Sequence, residues 1–291
     1  MPISTEDIKL LRESTGAGIL DCKKALQETN GNIDEAIDFL RRKGLAAASK
    51  KASREANEGL VRARVSEDGK SGVMVEVNCE TDFVARTDDF GGFVAALVRQ
   101  LLAQPQLKDA ESLLAAPYLE NPAKTVREQL IETIAKLGEN MILRRAIRFD
   151  LAGDGMLDSY IHPGSRVGVL VEVAGGRRDD EKFATLVHDL VLQIAAAAPR
   201  YVNQADIPAE VIEAEKSIYR DQLAEDKKPD NIKERIIEGK LKKWYSEVVL
   251  VDQEFVKDSD LTIAQLLKNY SQASGSEIKV RRFARFELGV N

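Results

Sequence analysis

Residue types able to do chemistry are few in this chain. There are two histidines, His162 and His188, and two cysteines, Cys22 and Cys79. Their spacing matches no zinc motif, and neither cysteine stands in a recognisable nucleophile context. Gly69-Lys70-Ser71 resembles the end of a phosphate-binding loop. Such a loop needs a glycine five residues earlier, where Arg64 stands, so the backbone nest cannot form. Gly16-Ala17-Gly18 fails as a dinucleotide fingerprint: Asp21 occupies a position that needs a small residue, and no strand precedes it. What remains is Cys79-Glu80-Thr81-Asp82-Phe83-Val84-Ala85-Arg86, directly after an alternating apolar run. Phe83 could pack on a core while Asp82 caps the next helix. Alternatively, an aromatic and a carboxylate could be offered to a partner as a wedge. Pattern alone favours the core reading.

The elements around these residues divide the chain. Ser4 and Asp7 give an N-cap and an acidic first turn for a helix to about Glu13. The Gly16-Ala17-Gly18 break is followed by Ile19, Cys22, Ala25 and Leu26 at helical spacing. Asn30-Gly31-Asn32 separates this from a third helix carrying Ile33, Ala36, Ile37 and Leu40, with Gly44 as its C′ glycine. Residues 1–44 thus read as a three-helix module, nearest in type to ubiquitin-associated binding modules. Residues 45–57 read as a linker with some helical character, its Lys50, Lys51 and Arg54 a solvated face.

Two alternating runs at 60–65 and 72–77 flank Glu67-Asp68-Gly69-Lys70, a strong hairpin signal. Helices are predicted over 90–103 and about 123–137, and a strand over 142–149. Gly72-Val73-Met74-Val75-Glu76-Val77 then recurs as Gly168-Val169-Leu170-Val171-Glu172-Val173, each copy followed by an apolar helix. That is the mark of a duplicated unit. The reading is α+β: the module at 1–44, then a core of two related sheet-plus-helix subdomains, at 58–149 and at 150–206 with 249–291. Residues 207–248 interrupt the second. Pro208 suits a helix start; Val211, Ala214, Ile218 and Leu223, a turn at 226–231, then Ile237, Leu241, Trp244 and Val248 predict a projecting antiparallel helical hairpin. The chain is expected to end in a strand near 278–288.

Acidic residues outnumber basic ones 48 to 42, which argues against a broad phosphate-binding footprint and for a protein partner. Two distant cysteines predict reduced thiols. No signal pattern opens the sequence and no apolar run reaches membrane-span length. A cytoplasmic protein with no membrane, nucleic-acid or cofactor binding is expected.

Several long motifs together carry a resemblance. Arg12-Glu13-Ser14-Thr15-Gly16-Ala17-Gly18, Asp21-Cys22-Lys23-Lys24-Ala25-Leu26 and Glu76-Val77-Asn78-Cys79-Glu80-Thr81-Asp82-Phe83-Val84-Ala85 resemble the signatures of the elongation factor Ts family. Leu137-Gly138-Glu139-Asn140, and His162 with the run from Gly164 to Val171, are similar to further segments of it. The resemblance implies a guanine-nucleotide exchange factor for elongation factor Tu, not an enzyme with catalytic residues. It implies that the N-terminal module, with Arg12, Gly16 and Gly18, docks on the GTPase. It implies that Thr81, Asp82, Phe83 and Val84 intrude beside the nucleotide and disturb the magnesium and phosphate region. His162, Gly164 and Arg166 would hold another part of the GTPase, and the hairpin would be a coiled coil for protein contacts, including a possible homodimer. Some members continue into a further C-terminal helix, which this sequence is expected to lack. Two other readings stay open: a ubiquitin-associated-like adaptor without exchange activity, and an enzyme using Cys79.

Overall fold

The computed structural model describes residues 3–224, 226 and 228–290; Met1, Pro2, Glu225, Lys227 and Asn291 lie outside the described residues, and with them one position of the turn expected at 226–231. The first three helices are α1 (Thr5–Thr15), α2 (Ile19–Glu28) and α3 (Ile33–Lys51). A capping box between Ser4 and Asp7 starts α1, and Gly16, at φ +68°, ends it by donating its N–H to the Arg12 carbonyl. Leu11, Cys22, Ala25, Leu26 and Ala36 are buried together between the three helices.

The expected end of α3 at Gly44 needs correction. The helix continues to Lys51, because Leu45-Ala46-Ala47-Ala48-Ser49-Lys50-Lys51 consists mostly of strong helix formers. The irregular connection shrinks to residues 52–57.

The chain then forms β1 (Glu58–Val65), β2 (Ser71–Cys79), the one-turn α4 (Asp82–Ala85), α5 (Asp88–Ala103), α6 (Ala110–Ala115), a ribbon of β3 (Pro117–Tyr118) and β4 (Asn121–Thr125), α7 (Val126–Leu137) and β5 (Met141–Asp150). A parallel series follows: β6 (Gly155–Ile161), β7 (Val167–Ala174), α8 (Glu181–Ala197), the helix pair α9 (Ala209–Gln222) and α10 (Asp230–Val248), a ribbon of β8 (Glu254–Phe255) and β9 (Asp258–Thr262), α11 (Ile263–Ser274) and β10 (Lys279–Glu287). One antiparallel sheet has the order β1-β2-β5 and the other β6-β7-β10. The molecule is thus α+β, with mixed helices and antiparallel sheets.

Corresponding positions carry corresponding bonds. The buried Gln100 donates to the Pro117 carbonyl and accepts the Leu119 N–H; the buried Gln193 donates to the Glu254 carbonyl and accepts the Val256 N–H. Thr125 with Glu128 and Thr262 with Gln265 form capping boxes on α7 and α11.

Strand alternation sorts the core into layers. Val73, Val75 and Val77 face α5 and α7, while Val169, Val171 and Val173 face α8 and α11. Met74 and Leu170 point the other way, and the two sheets meet there with Val61, Phe149, Leu157 and Phe286. Gly72 and Gly168 make that approach possible: a Cβ on Gly72 would lie 2.7 Å from Leu170, and one on Gly168 2.5 Å from Val61.

Two buried carboxylates lie in the same plane. Glu76 accepts from Arg145 Nε at 2.7 Å, and Glu172 from Arg282 Nε at 2.7 Å. Each arginine also reaches across. Arg145 stacks on Phe286 at 4.4 Å and donates to the Glu287 carbonyl at 3.0 Å. Arg282 stacks on Phe149 at 4.2 Å and donates to the Asp150 carbonyl at 3.0 Å. The contact is reciprocal, as in a two-fold interface.

Some expectations differ from the structure in detail. The segment leading to the last strand contains α11, launched by its Thr262 cap. Of the expected α9 stripe, Leu223 is buried and Val211 half-buried, but Ala214 and Ile218 are exposed; Ile212, Glu215 and Tyr219 are half-covered in their place. The apolar residues of α9 are too sparse to fix a face by periodicity. The expected α10 residues Ile237, Leu241 and Val248 are buried.

Arg282→Ala is expected to destabilise the protein by about 3 kcal/mol, because the buried Glu172 then keeps only Arg281 as a charged partner, beside the Ala152 N–H. A urea transition shifted by much less would show that the cross-sheet arginines are dispensable. Gly44 provides a second check. It is buried where α3 crosses α7, and its Cβ would sit 3.6 Å from Ala135, ordinary contact distance. Gly44→Ala is therefore expected to raise stability by about 0.5–1 kcal/mol through helix propensity, measurable as a higher melting temperature; a lowered one would mean that the helices cannot tolerate a methyl group there.

Candidate functional site

The segment at 81–84 is held from behind and free in front. Thr81 is the N-cap of α4, its Oγ1 accepting the Val84 N–H at 3.3 Å. Glu139, just beyond the Gly138 cap of α7, accepts the N–H groups of Glu80 and Thr81 at 3.1 and 3.0 Å and the Thr81 hydroxyl at 2.6 Å. Glu80 returns the contact by accepting the Asn140 N–H at 2.6 Å, and it pairs with Arg54 at 3.4 Å. Asn140 in turn donates to the Arg54 carbonyl at 2.8 Å. Arg54 is therefore part of this junction rather than simply a solvated charge.

The front of the segment is open. Val84 is half-buried against the helix-covered core and Ala85 is buried. Phe83 is 82% exposed, so it is not a core residue. Asp82 does not cap the following helix either; Thr87 does, accepting the Phe90 N–H at 3.3 Å. Asp82 pairs instead with Arg86 at 2.8 Å, on the surface. Such a pair contributes little and can change partners at small cost.

The other sequence-read residues fall in two turns. Gly16 and Gly18 bracket the α1–α2 turn, Gly18 as the N-cap of α2. Arg12 is exposed on α1, and beside the turn Ile19 and Leu20 are exposed at 58% and 81%. Leu10 is a further exposed apolar residue there. The sequence pattern put Ile19 on the apolar stripe of α2 with Cys22, Ala25 and Leu26, but only those three are buried, and it missed Leu20. His162, Pro163, Gly164 and Ser165 form the β6–β7 turn, with the Ser165 N–H donating to the His162 carbonyl at 2.9 Å and Gly164 at φ +88°. Proline second and a left-handed glycine third is the type II arrangement. The turn is tied down: Arg166 pairs with Glu58, and the Ser165 carbonyl accepts the Val61 N–H at 2.8 Å. His162 is exposed, its Nδ1 3.1 Å from the Tyr160 hydroxyl. His188, on α8, lies 3.0 Å from Asp158.

Other candidate chemistry weakens in the structure. Gly69 lies in the β1–β2 turn at φ +71°, its N–H donating to the Ser66 carbonyl, with the Arg178 guanidinium packed against it. Burial raises the Cys22 thiol above its ordinary range. Burial, and secondarily the Glu139 charge, pushes Cys79 up to about 12, and its Sγ donates to the Thr81 carbonyl at 3.2 Å. A nucleophilic thiol needs the opposite shift. At pH 8 both are expected to be thiols and to react with a disulfide reagent only slowly until guanidinium unfolds the chain; stoichiometric, rapid labelling of native protein would contradict this. No helix among the described residues is long and apolar enough to cross a membrane.

A sequence model of the family described as "Elongation factor TS" matches residues 80–290. An "Elongation factor Ts" of Trichlorobacter lovleyi is 46% identical over 99% of this chain and 93% of its own length. One from Clostridium perfringens is 48% identical with the same coverage, and one from Aquifex aeolicus is 45% identical over 99% of both chains. With most of its length matched by the family model and nearly all of it shared with such relatives, the chain belongs to the elongation factor Ts family.

Proposed function

We propose that this protein is a guanine-nucleotide exchange factor that binds elongation factor Tu carrying GDP and hastens GDP release. Membership of the family supports the partner. The observation that carries the mechanism is Phe83, a large aromatic held 82% exposed on a one-turn helix whose rear is fixed. An exposed phenyl ring carries a standing solvation cost of about 1.5–3 kcal/mol that a partner's surface can relieve. The wedge consists of Thr81, Asp82, Phe83 and Val84. Phe83 enters beside the nucleotide, and Asp82, released from Arg86, competes for groups that organise the magnesium and phosphates. No bond of the nucleotide is made or broken, so the protein is not an enzyme in the usual sense.

The remaining surfaces supply binding energy. The ubiquitin-associated-like module at 1–44 docks on the GTPase through the turn shaped by Gly16 and Gly18, with Ile19, Leu20 and Arg12 beside it. The turn with His162, Gly164 and Arg166, on the second sheet-plus-helix subdomain, holds a different part of the partner. The α9–α10 pair projects as a coiled-coil hairpin for protein contacts, a homodimer among them. Because the factor favours the nucleotide-free GTPase, linkage requires that factor and nucleotide weaken each other equally, typically by about 1–3 kcal/mol or more.

The test is release of fluorescently labelled GDP from elongation factor Tu, with and without the protein and its variants. Acceleration at substoichiometric protein is expected; binding with no change in release rate would favour the adaptor reading. Phe83→Ala is expected to lose most of the acceleration with its melting temperature nearly unchanged, whereas a core phenylalanine would cost about 3–5 kcal/mol of stability. Asp82→Ala should act in the same direction and combine non-additively with Phe83→Ala if both serve one intrusion. Exchange lost only in proportion to unfolded protein would remove the wedge.

A further inference from the structure

The structure assigns Glu139 a further role, as the positioning residue that holds the 81–84 wedge in its exchange-competent form; this rests on the exchange reading above. One carboxylate receives three donors in succession at the start of the wedge, the N–H groups of Glu80 and Thr81 and the Thr81 hydroxyl. Carboxylates bonded in this way form stronger hydrogen bonds than neutral acceptors do. The hydroxyl bond also orients Thr81. With its proton committed to Glu139, its oxygen can accept the Val84 N–H, which is the bond that caps α4 and aims Phe83. Glu80 and Asn140 close the loop in the other direction, so the end of β2 and the end of α7 hold each other.

The second sheet offers an internal comparison. Asn78, paired with Gly59 and Ile142, corresponds to Ala174, paired with Gly155 and Lys279, so β2 runs one residue further than β7, to Cys79. Helices α7 and α11 likewise end at left-handed glycines, Gly138 and Gly275. After that the two differ. Where the first sheet has Glu80-Thr81 bonded to Glu139, the second has Gly176-Arg177, and Ser276 stands at the position after the helix cap that Glu139 holds in the first. The Gly175 N–H goes to the Asp154 carbonyl, and both glycines are packed tightly, against the Glu277 carbonyl and the Phe183 ring. Ser276 has no carboxylate, and the adjoining Glu277 turns to Lys279 at the surface, 3.8 Å away, so this junction closes without a brace like that of Glu139. Glu139 is present at the sheet end that carries the exposed aromatic, where its role is to hold that aromatic rather than to build the sheet.

The test uses the full-length protein and elongation factor Tu loaded with a fluorescent GDP analogue, reading maximal release rate and half-saturating concentration separately. Glu139→Ala is expected to lower the maximal rate by about tenfold or more while half-saturation moves less than about threefold, because the other docking surfaces are untouched. Glu139→Gln, which keeps an acceptor oxygen for the N–H groups, is expected to recover most of the rate. Phe83→Ala should add little to Glu139→Ala. A wild-type maximal rate in Glu139→Ala, or a loss confined to half-saturation, overturns the assignment. If Phe83→Ala alone leaves exchange intact, the wedge itself fails and the positioning role with it; if Phe83→Ala is inactive and Glu139→Ala is not, the positioning role alone fails. Should Glu139→Ala melt early, Thr81→Val decides: a slowed maximal rate with normal melting supports the assignment, and an unchanged rate overturns it.

Discussion

Glu76 and Glu172 sit on the central strands of the two sheets, at the plane where those sheets meet, and neither has access to water. A carboxylate in that position is costly by several kcal/mol unless a cation satisfies it. The chain supplies the cation from the neighbouring strand of the same sheet and lays its guanidinium plane on a phenyl ring from the other sheet. One interaction thus neutralises the charge, fixes strand register and bonds the two sheets. Register shifts occur on the arginine-bearing side in both sheets, between Glu76 and Val77 in one pairing and between Val280 and Arg282 in the other. The surrounding apolar contacts and the close approach of Gly72 and Gly168 depend on the sheets keeping that spacing.

The consequence for function lies at the end of β2. This strand is the middle of its sheet, paired on both sides up to Cys79, and the proposed wedge begins two residues later, at Thr81. A loop carrying a large exposed apolar side chain would ordinarily collapse that side chain onto the nearest core. Here the backbone entering α4 is bonded to Glu139, Thr81 caps the helix, and Val84 and Ala85 take the inward positions. In four residues of helix, two pointing inward leave Phe83 pointing out. Under the proposed exchange function, preorganisation of this kind would lower the ordering cost at binding and leave more of the contact energy to disfavour nucleotide.

Much of this was legible in the sequence. The β1–β2 hairpin, α5, α8 and α10 announce themselves through period and turn chemistry, and the strand repeat at 72–77 and 168–173 gives the parallel series of elements. Three things were not legible, for separate reasons. Gly44 reads as a helix stop, because local signals cannot reveal that α3 runs on through it, buried against α7. The short ribbons and α11 are too brief or too weakly periodic to stand out from loops. The exposure of Phe83 depends on Glu139, distant in the sequence, so no local pattern could separate wedge from core; family resemblance suggested the wedge, and the fold supplies the physical reason.

Native-state hydrogen exchange, read amide by amide, tests most directly whether the wedge is a preformed, braced element. In the free protein the Glu80 and Thr81 amides are expected to exchange as slowly as those in the middle of β2, since each is bonded to Glu139. Adding nucleotide-free elongation factor Tu is expected to slow exchange at Asp82 and Phe83 with little further change at Glu80 and Thr81. Rapid exchange across 80–84 in the free protein, becoming slow only in the complex, would contradict this, because the wedge would then be folded by its partner rather than by Glu139 and the sheet behind it.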